Sequence, residues 1–542
     1  MRRNVLSHVG LSFVLALAVA MPDCSLFAQD NPQAGDKPPV YFPYPPGLMP
    51  ADLQSEIDRV NREVDQIFQE ALAKARLLPP PHLAGNPPIM QGSGTELVET
   101  LGRLELFDKN LSVNRNLACS FCHMPYTGFT GPISSINATV VTYPGSVHFR
   151  FSNRKPMAYT YSPYYPPLHY NETQQDFYGG NFWDLRATGY KLQNPDAEQA
   201  QHPIVDTQEH GFPDTACVVF RLSRSEYRSL FETVWGKQSF DIQWPADVEK
   251  ICSTPGGAEI FKGNLTPLNL STEDRARANA SLDQFALSIS AYERSEAISP
   301  FSSKFDAWLA GNATLTGDEM AGWQLFRGKA KCNMCHLDGT ANSTQGAITS
   351  NNAASVAPLF TDFTSANLGI PRNVSNPVYF QNVPDSYGFT RNPDGAALTD
   401  LGVGNFLRSL NGINPNAAWT QLAPKFDGKM QVQTLRNVDM RPCPTFVKAY
   451  MHNGYLKSLK EVVHFYNTRD VLPRCKQGDP GEKVTCWAAP EVGENLSKKL
   501  GDLKLTDKEE DQIVEFLKTL NDGYTRPYPD ANAYTGVCPE KP

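Results

Sequence analysis

The chain has 542 residues, 41% hydrophobic and 20% charged, with a formal charge of −8. That length allows several domains with sizeable cores, and the composition is that of a soluble globular protein. Net negative charge without a Lys/Arg-rich run excludes nucleic acid or an anionic membrane as an electrostatic partner.

Arg2 and Arg3 precede an apolar stretch from Gly10 to Met21, followed by small residues and Gln29-Asp30. The pattern predicts a signal peptide over residues 1–28, cleaved near Ala20 or Ala28, and hence a periplasmic or secreted protein. The stretch is short for a membrane span, and nothing later is apolar enough for one. Cys24 follows Met-Pro-Asp, a poor context for lipid attachment. Residues 29–94 read as a Pro-rich segment and an amphipathic helix. Leu53, Ile57, Val60, Val64, Ile67, Phe68 and Leu72 recur at helical spacing, and Pro79 to Pro81 end the run. This arm packs on the body of the chain or on a partner.

Two similar segments follow, LGRLELFDKNLSVNRNLACSFCH and GWQLFRGKAKCNMCH. They suggest a diverged internal duplication, with one half over residues 95–310 and the other over 311–525. Residues 337–440, rich in Gly, Ala, Ser and Asn, read as mostly loop. Thr506 and Glu509 form a capping box before a helical run through Leu520, and residues 526–542 form a C-terminal tail. Strand signals are few and short. The expected fold is mainly α: two cytochrome c-like haem domains with long loops, plus an N-terminal helical arm.

The haem expectation rests on Cys119-Ser120-Phe121-Cys122-His123 and Cys332-Asn333-Met334-Cys335-His336. Two thiols one helical turn apart can add to the two vinyl groups of one porphyrin, and the adjacent histidine reaches its iron. Two covalently bound c-type haems follow. A zinc site made from the four cysteines is the plainer alternative, but zinc does not call for a histidine after each pair. Six further cysteines remain after Cys24: Cys217, Cys252, Cys443, Cys475, Cys486 and Cys538. An even number in an exported chain suggests three disulfides. Several pairings are open; proximity favours Cys217–Cys252 and Cys475–Cys486, leaving Cys443–Cys538.

The pentads, their order and their flanks resemble the bacterial di-haem cytochrome c peroxidase and MauG family over roughly residues 95–525. Asn181-Phe182-Trp183-Asp184-Leu185-Arg186-Ala187 is similar to a family segment that has glycine where Leu185 stands. Glu198-Gln199-Ala200, Pro203-Ile204 and Glu209 resemble another. Thr434-Leu435-Arg436-Asn437-Val438, Tyr450-Met451-His452-Asn453-Gly454 and LKEVVHFYN (459–467) resemble its C-terminal signature.

The resemblance implies a peroxidatic first haem on His123 and an electron-transfer second haem on His336. It makes Glu209 the acid/base group, Gln199 its neighbour in the pocket, and Trp183 a relay between the haems. Read without it, Glu209 is an ordinary loop carboxylate and Trp183 a core aromatic. It places Tyr466 as second ligand of the second haem, with Met451 as rival. A hard, anionic phenolate favours higher iron oxidation states than a methionine does. On the plainer reading, Tyr466 packs in a core with Leu459, Val462 and Val463, which share its helical face.

His148 lies near the place of the family's distal histidine but does not match its local sequence, and reads as a surface residue. Asn153-Arg154-Lys155-Pro156 loosely matches a calcium-ligand segment, so calcium is possible. The expected partners are hydrogen peroxide and either a donor cytochrome or other redox protein, or a protein substrate. The alternative is a di-haem electron carrier without catalysis.

Overall fold

A computed structural model of the chain describes residues 53–78, 96–256, 268–339, 358–412, 416–528, 530 and 532–538. The expected signal peptide and the Pro-rich segment lie outside them. The amphipathic repeat forms α1 (Leu53–Leu77), with Glu56 in its first turn and Lys74 and Arg76 in its last, the signs that suit a helix dipole. Leu53, Ile57, Val60, Val64, Ile67, Ala71 and Leu72 are buried along one face. That face shares a core with α2 (Glu96–Phe107) and Phe121 of the first pentad, so the arm packs on its own chain. A buried polar cluster fixes its rotation. Arg59 donates to Glu63 at 2.8 Å, and Tyr126 and Thr535 each donate to the same carboxylate at 2.8 Å.

Next come α3 (Pro195–Val205), α4 (Thr272–Arg294), α5 (Lys304–Leu309), α6 (Gly317–Arg327), α7 (Leu459–Thr468) and α8 (Asp507–Lys518). Thr316 and Thr506 start α6 and α8 through capping boxes with Glu319 and Glu509, the second as expected. Among the described residues the strands are two short antiparallel pairs. β1 (His169–Asn171) pairs with β2 (Asp176–Tyr178), and β3 (Ser365–Ala366) with β4 (Met430–Gln431). The fold is therefore helix-rich with long connections. Among the described residues of 337–440, the α-helical segment is Val403–Ser409; 3-10 turns, β3, β4 and loop make up the rest. No helix among the described residues is long and apolar enough to cross a membrane.

Two helix crossings repeat one device. A Cβ on Gly102 of α2 would sit 2.0 Å from the Ser288 carbonyl oxygen of α4 and 2.9 Å from Tyr292 Cβ. A Cβ on Gly322 of α6 would sit 1.9 Å from the Gln512 carbonyl oxygen of α8 and 2.9 Å from Phe516 Cβ. Each glycine lets two backbones touch, and each lies on the helix that precedes a pentad in the chain.

The first core draws on residues 53–298 together with Met440 and Tyr528. A second runs from Phe305 to Leu520, and a smaller third gathers Leu168, Phe177, Leu185, Phe406 and Phe426. Leu185 has φ +66°, a left-handed conformation that explains why the family segment carries glycine there. The strain is about 1–2 kcal/mol; complete burial of the leucine side chain in the third core offsets it. Disulfides join Cys217–Cys252, Cys443–Cys538 and Cys475–Cys486. With Cys538 bonded and Tyr528 in the first core, the C-terminal segment is packed rather than a loose tail.

Gly102→Ala and Gly322→Ala each drive a methyl into a backbone carbonyl that cannot turn away. Denaturant unfolding of the full chain is expected to show a loss of about 1–3 kcal/mol or more for each. Gly317→Ala, whose Cβ meets nothing within 4 Å, is the matched control and should not lower stability.

Candidate functional site

Cys119 to Cys122 form one 3-10 turn, and both cysteines line a cavity of about 370 Å³ with His123. The His123 Nδ1 lies 3.0 Å from the Phe129 carbonyl oxygen. A carbonyl can only accept, so Nδ1 carries the proton and Nε2 presents a lone pair. Burial lowers the His123 pKa to about 4, so the imidazole is neutral.

Gln199, Glu209 and Trp183 line the same cavity. The Glu209 backbone is pinned: its carbonyl accepts from Ser146 N at 2.7 Å, and its N–H donates to Asp206 at 3.0 Å. A Cβ on Gly145 would lie 2.3 Å from the Gln208 carbonyl oxygen, so this loop closes against bare backbone. The Glu209 carboxyl makes no hydrogen bond to a described residue. Burial, with Asp206 nearby, pushes its pKa up to about 8 against the pull of Arg186. Gln199 sits on α3 four residues before Pro203, which has no N–H to give the Gln199 carbonyl. His210 lines this cavity too, buried, with Nε2 3.3 Å from Cys119 Sγ and Nδ1 2.6 Å from the Leu111 carbonyl. His148 is half-buried rather than on the surface; it pairs with Asn116 at 2.8 Å and is not among the lining residues.

Cys332, Cys335 and His336 line a second cavity of about 230 Å³. The His336 Nδ1 lies 2.9 Å from the Phe360 carbonyl, the same arrangement as in the first half. Ser458 caps α7 by accepting from Glu461 N, and Leu459, Val462 and Tyr466 of that helix line the cavity while Val463 packs in the second core. The Tyr466 hydroxyl makes no hydrogen bond to a described residue, and burial pushes its pKa up. Met451, in a turn at φ +67°, lines the cavity as well.

Lys155, Ala158, Trp183 and Asp400 line both cavities. Trp183 Nε1 donates to the Lys155 carbonyl at 3.3 Å, and its ring meets His452 edge-on at 6.3 Å. Alongside, Arg154 donates to Asp184 at 2.7 Å and to both oxygens of Asp400 at 2.7 Å. Arg186 and Arg154 hold the Asp184 carboxyl, and Arg154 holds that of Asp400, below the usual range despite their burial. In the segment where calcium was considered, Arg154 itself brings positive charge to these carboxyls. Among the described residues, no three His, Cys, Asp or Glu gather to hold a metal ion. The two cysteine pairs line separate cavities, so they do not form a four-thiol zinc site.

Each cavity thus offers two thiols and a neutral imidazole with Nε2 available, the donor set for a haem. Arg391 lines the first cavity and His452 the second, and each has a buried nitrogen without a partner among the described residues, Nε and Nε2. They suit the carboxylates of a porphyrin, so the residues fit the group.

Residues 96–314 match the family model of di-haem cytochrome c peroxidase. The chain is 27% identical to the methylamine utilization protein MauG of Paracoccus denitrificans, over 79% of this chain and 89% of that protein. The di-haem cytochrome c peroxidase match is thus confined to residues 96–314, while the similarity to MauG runs over most of the chain. It is also 24% identical to cytochrome-c peroxidase IdrP1 of Denitromonas iodatirespirans, over 78% of this chain and 80% of that one. The diheme peroxidase BthA of Burkholderia thailandensis shares the fold, with a TM-score of 0.57 and 22% identity over 82% of this chain and 92% of its own. A BthA variant with a tyrosine replaced by methionine gives a TM-score of 0.58 at the same identity, over 83% of this chain and 93% of its own. These similarities are those of a peroxidase-like redox enzyme of a di-haem type.

Sequence reading alone did not single out Arg391, Asp400 or His210. His210 adjoins Glu209 in the segment already quoted, but Arg391 and Asp400 lie in loops with no local pattern. Arg154→Ala leaves Asp400 without its ion-pair partner and Asp184 with Arg186 alone, and unfolding measurements should show a loss of roughly 3–5 kcal/mol. Both carboxyls are depressed in the folded state, so their contribution is present above the normal carboxylate range and fades as pH falls. The variant should therefore lose most stability at neutral pH and approach wild type in acid.

Proposed function

We propose that the protein is a periplasmic or secreted enzyme that reduces hydrogen peroxide at a first haem, held covalently by Cys119 and Cys122 and ligated by His123. Cys332, Cys335, His336 and Tyr466 would hold a second haem, which would supply a store for oxidising equivalents, with Trp183 between the two cavities. When bound, the first haem supplies the iron to which peroxide adds and the redox capacity for the cleavage. The remaining work falls to side chains. The Glu209 carboxylate takes the proton from the inner oxygen of peroxide and returns it to the outer one, so that water leaves. Gln199, beside it, offers an amide to hold the peroxide in place. Trp183 bridges the cavities, and Arg154 balances the charge of the two aspartates next to it.

The observation that carries this reading is the difference between the cavities. One contains an unpaired, protonatable carboxyl, and the other a phenol without a hydrogen-bond partner. The electrons come from a donor cytochrome or other redox protein, or from a side chain of a protein substrate. Tyr466 favours the protein substrate, because a phenolate holds the second haem at higher oxidation state.

Mass analysis of the mature protein is expected to show two added macrocycles. The ferric protein should contain a high-spin component that reacts with peroxide; two low-spin haems inert to it would instead support a pure electron carrier. Glu209→Gln should slow the peroxide reaction by roughly 10²–10⁴-fold. Because Glu209 titrates near 8, the wild-type rate should climb as pH rises through that value while the glutamine variant stays flat. Tyr466→Met should alter the ferric spectrum of the second haem, and an unchanged spectrum would take Tyr466 off the iron.

A further inference from the structure

The first cavity holds a second carboxyl that this mechanism does not use. Glu293, in the last turn of α4, is buried and lines the cavity together with Gln199 and Glu209. Behind it stands Asp196, buried in the first turn of α3. The two helices are tied at this point. Asn194 caps α3 with its Oδ1, and its Nδ2 donates to Ser290 Oγ of α4 at 2.9 Å. Ser162 donates to Asp196 Oδ1, and Asn181 Nδ2 donates to the same oxygen at 3.4 Å. Asp196 Oδ2 has no amide or hydroxyl bond from a described residue, and the Glu293 carboxyl and Ser290 hydroxyl adjoin this aspartate. Two carboxyls this close and this buried cannot both be ionised, so they share one proton. Asp196 has the donors Ser162 and Asn181 and the charge of Arg294 near it, so it holds the anion and Glu293 the proton. Burial and the Asp196 charge push the Glu293 carboxyl well above the usual range. Burial raises Asp196 as well, against the pull of Glu293, Ser162, Ser290 and Arg294.

We propose that Glu293 and Asp196 form a proton store for the first cavity, supplying the protons that peroxide does not bring. This rests on the peroxidase reading above. Turning one peroxide into two waters takes two electrons and two protons. The electrons come from the redox partner. Glu209 moves only a proton that peroxide already carries, so both further protons have to enter a buried cavity from outside. Glu293 breaks its O–H bond and passes that proton into the cavity, once for each electron. The loss leaves two charged carboxyls side by side, and their repulsion draws in the next proton. Ser290 hands that proton to Asp196 as it takes one from solvent, and Asp196 returns it to Glu293. The Asn194 amide donates to the Ser290 oxygen, which leaves the Ser290 O–H free to point at the carboxylate. Asn194 is half-buried, so solvent lies on this side of the pair. The position suits delivery to peroxide, because Asp196 is about one helical turn from Gln199, and Gln199 and Glu293 line one cavity.

The test uses the full, haem-loaded chain. Glu293→Gln keeps the size of the side chain and its place beside Asp196 but has no proton to give. In infrared spectra of the resting protein, wild type minus variant should show the carbonyl band of one protonated carboxyl, shifted in D2O. In stopped flow, the variant should keep the first optical response to peroxide, since Glu209 is untouched. Its return to the resting state, with ferrocyanide as the electron source, should slow by at least about tenfold. Absence of the band overturns the store. So does a return as fast as that of wild type, and if unfolding stability falls at the same time the pair is a structural tie between α3 and α4. If Glu293→Gln does not fold, Asp196→Asn decides, with the band moved and the return slowed in the same way. A wild type with no optical response to peroxide refutes the peroxidase reading instead, and the infrared comparison then still decides whether the pair holds a proton.

Discussion

One hydrogen bond, made twice, underlies both sites. His123 and His336 each give the Nδ1 proton to a phenylalanine carbonyl, from Phe129 and Phe360. That bond fixes the tautomer, orients the ring and leaves Nε2 as the only free donor atom. Without it, a buried imidazole beside two thiols could turn either nitrogen to the cavity. The crossings at Gly102 and Gly322 matter for the same reason, because they bring the backbone close enough to hold the pentad turns in place. Two halves with little sequence in common have kept these contacts, which is the physical content of the suspected duplication.

Between the cavities, charge is handled by the protein itself. Arg154 ties together Asp184 from the Trp183 segment and Asp400 from a distant loop, and Asn153 donates to Asp400 at 3.1 Å. Two carboxylates buried without a cation would be too costly to keep ionised. A guanidinium gives directional bonds where an ion would give a symmetric field, so Trp183 rests against a rigid polar frame. Lys155 adds a second buried cation, whose pKa burial lowers to about 8.

The local chemistry was legible in the sequence. The two pentads, the helix of the arm, the capping box at Thr506 and the apolar face ending at Tyr466 are short-range patterns, and each needs only a few neighbouring residues to be recognised. Proximity also anticipated the disulfide pairing. The resemblance brought Glu209 and Gln199 to attention, residues that would otherwise pass as loop and helix surface. The rest was hidden because it depends on long loops meeting. Arg154 with Asp400 and Arg391 over the first cavity come from segments hundreds of residues apart, without periodicity. The seat of the arm was hidden likewise, since its apolar stripe fits any apolar surface and polar contacts such as the Arg59–Glu63–Tyr126 cluster select this one.

The end of the chain is stitched into its beginning. Thr535 caps a carboxylate on α1, Asp530 pairs with Arg103 on α2 at 2.7 Å, and Cys538 is bonded to Cys443. The first half therefore cannot reach its final packing while the chain is still emerging, because some of its contacts arrive last. Contacts so distant in sequence make closure slow. A nascent chain would keep the first two helices loosely seated until residues 530–538 came through, so the last segment made is also the latch on the first.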